Sequence, residues 1–318
     1  MSPTTTHHGG TRRIAVTPRS ISDGGHPALR QLEKAGYDVV YPAPGAVPNE
    51  QQLRSTLPGC VGYIAGTERL SGAFLSEFPE LKAISRNGVG IDSIDVDAAQ
   101  QQGISVLTAP GANSQGVAEL TIALLLSAVR GIPWHDRQLK EGQWVRRPGR
   151  EVSGQTLGLV GCGQIGRRVA TMALGLGMKV IAFDAYPLES FHPSEDFTWG
   201  SLEEVLRSGN IISLHMPPTE EPVIGPATIG LLQQGTGIIN TARASLVDDE
   251  SVLAGLDSGH VAFLATDVFS TEPPGTTELV LHPNVVATPH IGGYTGESVD
   301  RATWAAVDNL LQALANQH

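Results

Sequence analysis

Short runs of apolar, largely β-branched residues recur along the chain, and the segments between them carry their apolar positions at helical spacing. In the first third, "RIAVT" (13–17), "YDVVY" (37–41), "GYIAG" (62–66) and "KAISR" (82–86) read as strands. Between them, "PALRQLEKAG" (27–36) and "NEQQLRSTL" (49–57) read as helices, the first closed by Gly36. "DSIDVDAAQQQ" (92–102) predicts a further helix ending at Gly103. A second series begins near residue 155. Its strands are "TLGLVG" (156–161), "KVIAFD" (179–184), "IISLHMP" (211–217), "GIINTAR" (237–243), "AFLATDVF" (262–269) and "NVVATPH" (284–290). Its helices are "IGRRVATMALGLG" (165–177), "SLEEVLRSG" (201–209), "ATIGLLQQG" (227–235) and "DESVLAGLDSG" (249–259), and a last amphipathic helix is expected from Gly296 to Gln317. Strands alternating with helices predict parallel βαβ units, hence an α/β protein with two doubly wound parallel sheets.

One segment breaks the pattern by being apolar nearly all round. "AELTIALLLSAV" (118–129) stops at Arg130, well short of the roughly 20 residues a bilayer requires, and reads as a buried or subunit-contact helix. The chain has 318 residues, too many for one simple core and suited to two domains. A net charge of −11 argues against nucleic acid or an anionic membrane as partner, because both need a basic face. It leaves room for a small anion held by a few local arginines. The two cysteines, Cys60 and Cys162, lie far apart and show no metal-ligand spacing, so reduced thiols and no metal site are expected. The start, "MSPTTTHHGGTRR", is polar with no apolar stretch of the signal-peptide kind, and a cytoplasmic location is expected.

Candidate chemistry begins at "LGLVGCGQIG", where Gly161, Gly163 and Gly166 form G-x-G-x-x-G. The motif alone is weak. Here an apolar strand precedes it, a helix follows, and Asp184 ends the next strand near the spacing expected for a ribose-binding carboxylate. The first glycine permits a tight turn, the second lets backbone approach a pyrophosphate, and the third lets helix pack on strand. Gln164 and Ile165 open that helix, whose positive end would face the phosphates. A carboxylate at Asp184 repels a 2′-phosphate and the following "AYP" offers no arginine, so NAD is expected rather than NADP. Three strand-end motifs follow: "NTARASLVD" (240–248) with Arg243, "DVFSTEPP" (267–274) with Glu272, and "ATPHIGG" (287–293) with His290. Singly, these read as a surface ion-pair residue, a solvated loop acid and a hydrogen-bonded loop histidine. Jointly they lie just beyond three predicted strands, where open parallel sheets bind ligands.

With "GCGQIG", "RNGVGIDSID" (86–95) and "GVAELTIALLLSAVR" (116–130), these motifs resemble the NAD-dependent D-2-hydroxyacid dehydrogenase family over nearly the whole chain. That family includes 3-phosphoglycerate, glycerate/hydroxypyruvate and glyoxylate enzymes. The resemblance implies a Rossmann dinucleotide-binding domain, residues 109–292, inserted into a flavodoxin-like substrate domain, residues 1–108 and 293–318. It also implies a dimerisation arm at about 116–150 and hence a homodimer. His290 would be the general acid toward a 2-keto acid and the base in reverse, and Glu272 would favour its protonated form. Arg243 would bind the substrate carboxylate with its planar, always charged fork. The backbone amides of Asn87, Gly88 and Val89 would hold that carboxylate's other side. The cofactor site would take in Gly161, Gly163, Gln164, Ile165, Gly166 and Asp184. It would also draw on His215, Pro217, Thr241, Ala242, Arg243, Asp267, His290 and Gly292. Arg69, Arg86 and Arg130 are open to a second anion on the substrate; Arg69 and Arg86 are the two expected in the substrate site. The chain stops after one C-terminal helix, so control through an appended regulatory domain is not expected. Two other readings stay open: an NAD-sensing binding protein like the co-repressors of this fold, and a dehydrogenase acting on phosphite-like or phosphonate substrates.

Overall fold

The computed structural model describes residues 12–316. Gln317, the last residue of the expected C-terminal helix, lies outside the described residues. The chain forms two compact units. One runs to Asn113 and resumes at Gly296; the other spans Ser114–Thr295.

The first unit carries β1 (Arg13–Val16), β2 (Asp38–Val40), β3 (Cys60–Ala65), β4 (Ala83–Arg86) and β5 (Ser105–Leu107). All pair in parallel, in the order β2-β1-β3-β4-β5. This is the flavodoxin-like order, with its reversal between β1 and β3. Both faces are covered, as parallel sheets require. Neighbouring residues Tyr63 and Ile64 point to opposite faces, and both are fully buried, in different apolar clusters. The C-terminal helix Gly296–Ala315 covers one face through Ala306, Val307, Leu310 and Leu314. Gly62 permits its approach, because a Cβ there would sit 3.2 Å from Leu310 and Leu314.

The second unit carries β6 (Thr156–Val160), β7 (Lys179–Phe183), β8 (Phe197–Trp199), β9 (Ile211–Leu214), β10 (Thr236–Asn240), β11 (Val261–Thr266) and β12 (Val285–Ala287). The sheet is parallel throughout, in the order β12-β11-β10-β9-β6-β7-β8. Its first six strands follow the Rossmann order, and it reverses between β6 and β9. The fold is therefore α/β, with a Rossmann unit inserted into a flavodoxin-like one. The apolar helix extends over Ser114–Arg130 and buries Val117, Ala118, Leu124, Leu125 and Val129. Among the described residues no single helix is long and apolar enough to cross a membrane.

Several elements depart from the sequence pattern. The helix expected over 92–102 begins only at Val96, because the Asp95 side chain caps it by accepting from Ala98 N–H at 3.1 Å. The preceding Ile94 is instead bridged to Leu70. Residues 227–235 yield a single 3₁₀ turn, Ile229–Leu231. Thr228 there bonds back to Val223 and Gly225 rather than starting a helix. β5, β8 and the helix Ile132–Lys140 were not anticipated. Each of these strands has only three residues and lacks the adjacent β-branched pair that marks β2 (Val39, Val40) and β12 (Val285, Val286), and the helix buries none of its residues.

Candidate active site

At the exit of β6 the chain makes the glycine turn, and each glycine answers a different constraint. Gly161 sits at φ +90°, and a Cβ there would lie 2.5 Å from the His215 carbonyl oxygen. A Cβ on Gly166 would collide with the Gly161 carbonyl oxygen. Gly163 has open space where its Cβ would be, and it caps the helix Gln164–Gly175 with no side-chain hydrogen bond. The turn therefore closes tightly from below and leaves uncapped helix N–H groups and free volume above, the arrangement that accepts a phosphate. Asp184, just past β7, is tied into the same turn. Its Oδ2 accepts from Cys162 N–H at 2.7 Å and its Oδ1 from Tyr186 N–H at 2.9 Å. Each oxygen keeps acceptor capacity for a ribose hydroxyl.

His215 follows β9, across the strand-order reversal. Its Nε2 pairs with Ser213 Oγ at 2.8 Å. The residue as a whole is half-buried, yet its Nδ1 is shielded from solvent and has no partner. Burial holds its pKa down at about 3, so the ring is neutral at ordinary pH. A shielded, unsatisfied ring nitrogen beside the glycine turn is a group that a bound ligand can satisfy. Burial, and after it the Asp184 charge, pushes the Cys162 thiol up to about 12. Pro217 is exposed two residues beyond His215.

β10, β11 and β12 are neighbours, and their exits carry the other expected groups. After β10, Asn240 shapes the turn by accepting from Ala242 N–H and donating to the Arg243 carbonyl. Arg243 Nη1 donates to the Ala242 carbonyl at 2.7 Å. Buried Thr241 pairs with Thr121 of the helix Ser114–Arg130 at 2.9 Å. After β12, His290 takes φ +54°, the left-handed region, which is uncommon for a residue other than glycine. Its Nδ1 meets Glu272 Oε2 at 2.8 Å and Oε1 at 3.0 Å. An ionised carboxylate can only accept, which assigns the proton to Nδ1. Among the described residues Nε2 takes no hydrogen bond. Glu272 is steadied in turn by Phe269 N–H at 3.1 Å.

Asp267, expected at the cofactor, uses its carboxylate to hold the loop that follows β12. Oδ1 accepts from Thr288 Oγ1 at 2.6 Å and Ile291 N–H at 2.8 Å, and Oδ2 from Gly292 N–H at 2.7 Å. Gly292, also expected at the cofactor, is thus a donor to Asp267. Nothing in the pattern of 288–292 announced this, since a buried acid after a strand looks the same whether it binds a ligand or a loop.

In the first unit, the amides of Asn87 and Gly88 are already spent on the carbonyls of Ala65 and Arg86. That leaves Val89, 40% exposed, as the one of the three amides without a partner among the described residues. Arg86 folds onto its own loop, with Nη1 donating to the Asn87 carbonyl at 2.7 Å, so it braces the turn. Arg69 is exposed. Beside it lies a network the sequence did not reveal. Buried Glu68 takes Tyr63 Oη at 2.7 Å, Gly66 N–H at 2.9 Å and the Thr17 hydroxyl on one oxygen. Burial, and then the Glu68 charge, raises the Tyr63 phenol well above its ordinary value.

A doubly wound pair of sheets with a glycine turn at one strand-order reversal and a carboxylate–histidine pair beyond its outer strands defines a dinucleotide-type site. Residues 122–292 match the model of the D-isomer specific 2-hydroxyacid dehydrogenase NAD-binding domain. Hydroxypyruvate reductase of Thermotoga maritima is 40% identical over 241 residues, 74% of this chain and 78% of that enzyme. D-3-phosphoglycerate dehydrogenase of Bacillus subtilis is 38% identical over 304 residues, 94% of this chain but only 56% of the relative's length. In structure, the chain is similar to D-lactate dehydrogenase from Aquifex aeolicus, solved with NAD and lactic acid. That match has TM-score 0.79 and 28% identity and covers 96% of each chain. The chain belongs to the D-isomer specific 2-hydroxyacid dehydrogenase family and carries that family's NAD-binding domain.

Proposed function

We propose that the protein transfers hydride between NAD(H) and a small anionic D-2-hydroxy acid or its 2-keto acid, of the 3-phosphoglycerate, glycerate/hydroxypyruvate or glyoxylate kind. The observation that carries the reading is the His290 Nδ1–Glu272 pair at 2.8 Å, with Nε2 left unbonded, on the strand exit next but one to that of Arg243. NADH, when bound, supplies the hydride. His290 Nε2 gives its proton to the keto oxygen as the carbonyl carbon becomes tetrahedral, and takes it back in the reverse direction. Glu272 fixes the ring and balances its positive charge. Arg243 holds the substrate carboxylate and draws density from the adjacent carbonyl. The helix N-terminus behind Gly163 receives the pyrophosphate, and Asp184 receives the ribose hydroxyls.

The Val89 amide and Arg69 are the substrate contacts the reading assigns to the first unit. Arg86 is the weaker candidate, because its guanidinium already braces the 86–88 turn. A homodimer joined through the arm at about 116–150 and a cytoplasmic location complete the reading. The arm supports it with Ile132, Leu139 and Trp144 exposed at 52%, 60% and 83%. The test is a panel of 2-keto acids, with and without a phosphate or second carboxylate, assayed with NADH and NADPH. Turnover with NADH, at least about 100-fold better than with NADPH, is expected from the Asp184 carboxylate, since 1.4 kcal/mol is tenfold. NADH binding without turnover of any acid would instead support a nucleotide-sensing role.

A further inference from the structure

We infer that Asn240 is a positioning residue for Arg243, a buried amide that fixes the turn leaving β10 so that the guanidinium meets the substrate carboxylate. The inference rests on the proposed reaction. Asn240 is the last residue of β10 and 2% exposed. Its carbonyl accepts from Asp267 N–H at 3.0 Å, which ties its backbone to the exit of β11. Its side chain then closes the turn with both ends of the amide. Oδ1 accepts from Ala242 N–H at 3.1 Å, and Nδ2 donates to the Arg243 carbonyl at 2.8 Å. That carbonyl also accepts from Leu246 N–H at 3.2 Å, where the 3₁₀ turn Ala244–Leu246 begins. One buried side chain thus holds the chain just before and just after the Arg243 Cα. Arg243 Nη1 in turn donates to the Ala242 carbonyl at 2.7 Å, so the guanidinium leans on the stretch that Asn240 orients.

A second brace reaches the same turn from the helix Ser114–Arg130. Thr241 is 8% exposed, and its hydroxyl pairs with Thr121 Oγ1 at 2.9 Å. Thr121 spends its one proton on the Val117 carbonyl at 2.8 Å, so Thr241 is the donor. Asn240 therefore grips the turn from within, and Thr121 grips it from the helix beside it. Direction is what the guanidinium gains. A planar fork binds a carboxylate well only when the two lie in one plane, and a misplacement of about an ångström costs about 100-fold.

Asn240→Asp tests the grip. It keeps the shape and the acceptor for Ala242 N–H, but sets a carboxylate oxygen against the Arg243 carbonyl. With the 2-keto acid that the wild type reduces best, kcat/KM should fall about 100-fold. The NADH dissociation constant should stay within about 3-fold of wild type. In an Arg243→Ala background the same change should alter kcat/KM by less than about 2-fold, because no guanidinium is left to position. A residue that served the fold alone would cost the same factor in both backgrounds. Thr121→Val, which removes the acceptor of the Thr241 hydroxyl and keeps the shape, should lower kcat/KM about 5-fold, again only where Arg243 is present. The inference is overturned if Asn240→Asp costs the same factor with and without Arg243, or leaves kcat/KM within 3-fold of wild type. A tenfold or larger loss of NADH affinity in Asn240→Asp also overturns it, by placing the amide at the cofactor. Should Asn240→Asp fail to fold, an equal cost of Thr121→Val in both backgrounds overturns it alone. Failure of the reaction itself shows separately, as wild-type protein that turns over no 2-keto acid.

Discussion

In the five-stranded sheet the strand order reverses between β1 and β3, and the chain packs that point with side chains; in the seven-stranded sheet it reverses between β6 and β9, and the chain strips it to glycine. At the first point, Thr17 beyond β1, Gly66 beyond β3 and Tyr63 within β3 all bond one oxygen of buried Glu68. At the second, Gly161 and Gly166 close the turn from below, and the volume over Gly163 stays empty. Both architectures present a crevice at the carboxyl ends of parallel strands. A reversal of strand order thus offers a site, and the side chains at the strand exits decide whether a ligand or the protein occupies it.

The comparison breaks most visibly at Gly166. Gly166→Ala drives a Cβ into the Gly161 carbonyl, and backbone cannot yield as a flexible side chain would. NADH affinity, read by fluorescence titration, should fall on the order of 100-fold, as about 3 kcal/mol of misfit implies. Affinity within 3-fold of wild type would mean that the glycine turn does not shape the site.

At the filled crevice the expected effect is on stability alone. Glu68→Ala removes the acceptor that the buried Tyr63 hydroxyl uses, while Gly66 N–H keeps Thr17 Oγ1 and the Thr17 hydroxyl keeps the Ile64 carbonyl, and should cost about 1–3 kcal/mol in denaturant unfolding of the first unit. NADH affinity should not change. A loss of affinity comparable to that of Gly166→Ala would place Glu68 in a binding role and erase the contrast.

The effect at His215 is graded, spread over a range of pH. Its pKa is held at about 3 by burial, against an ordinary 6.5. Between those values the unfolded chain binds a proton that the folded chain refuses, so stability falls as pH drops from 6.5 toward 3 and levels off below. The slope is at most about 1.4 kcal/mol per pH unit, and less for a residue whose outer face meets solvent. Denaturant midpoints across that range should show a shallower slope in His215→Gln, and identical slopes would contradict the burial of the ring.

Much of this was legible in the chain. Short β-branched runs and helical patterning gave most of the strands and all the long helices but Ile132–Lys140, because buried parallel strands read as such runs between glycine-closed helices. Gly161, Gly163, Gly166 and Asp184 were legible because each answers a local constraint. His290 and Glu272 were found together only as successive strand exits, since 18 residues separate them. What stayed hidden was the direction in which side chains are spent. Asp267 turns to its own loop, Arg86 to its own carbonyl neighbour, and the Asn87 and Gly88 amides to the sheet. Such choices depend on tertiary partners, and no spacing rule encodes them. The Glu68 network was missed for the same reason, as Thr17 lies 51 residues from Glu68.

The most direct test is the turnover of His290→Ala beside its affinity for NADH. The proton donor is lost while the glycine turn and Asp184 are untouched. The rate of 2-keto acid reduction should therefore drop about 1,000-fold with NADH bound as tightly as before. Near-normal turnover in that variant would show that the proton comes from elsewhere and would overturn the role assigned to His290.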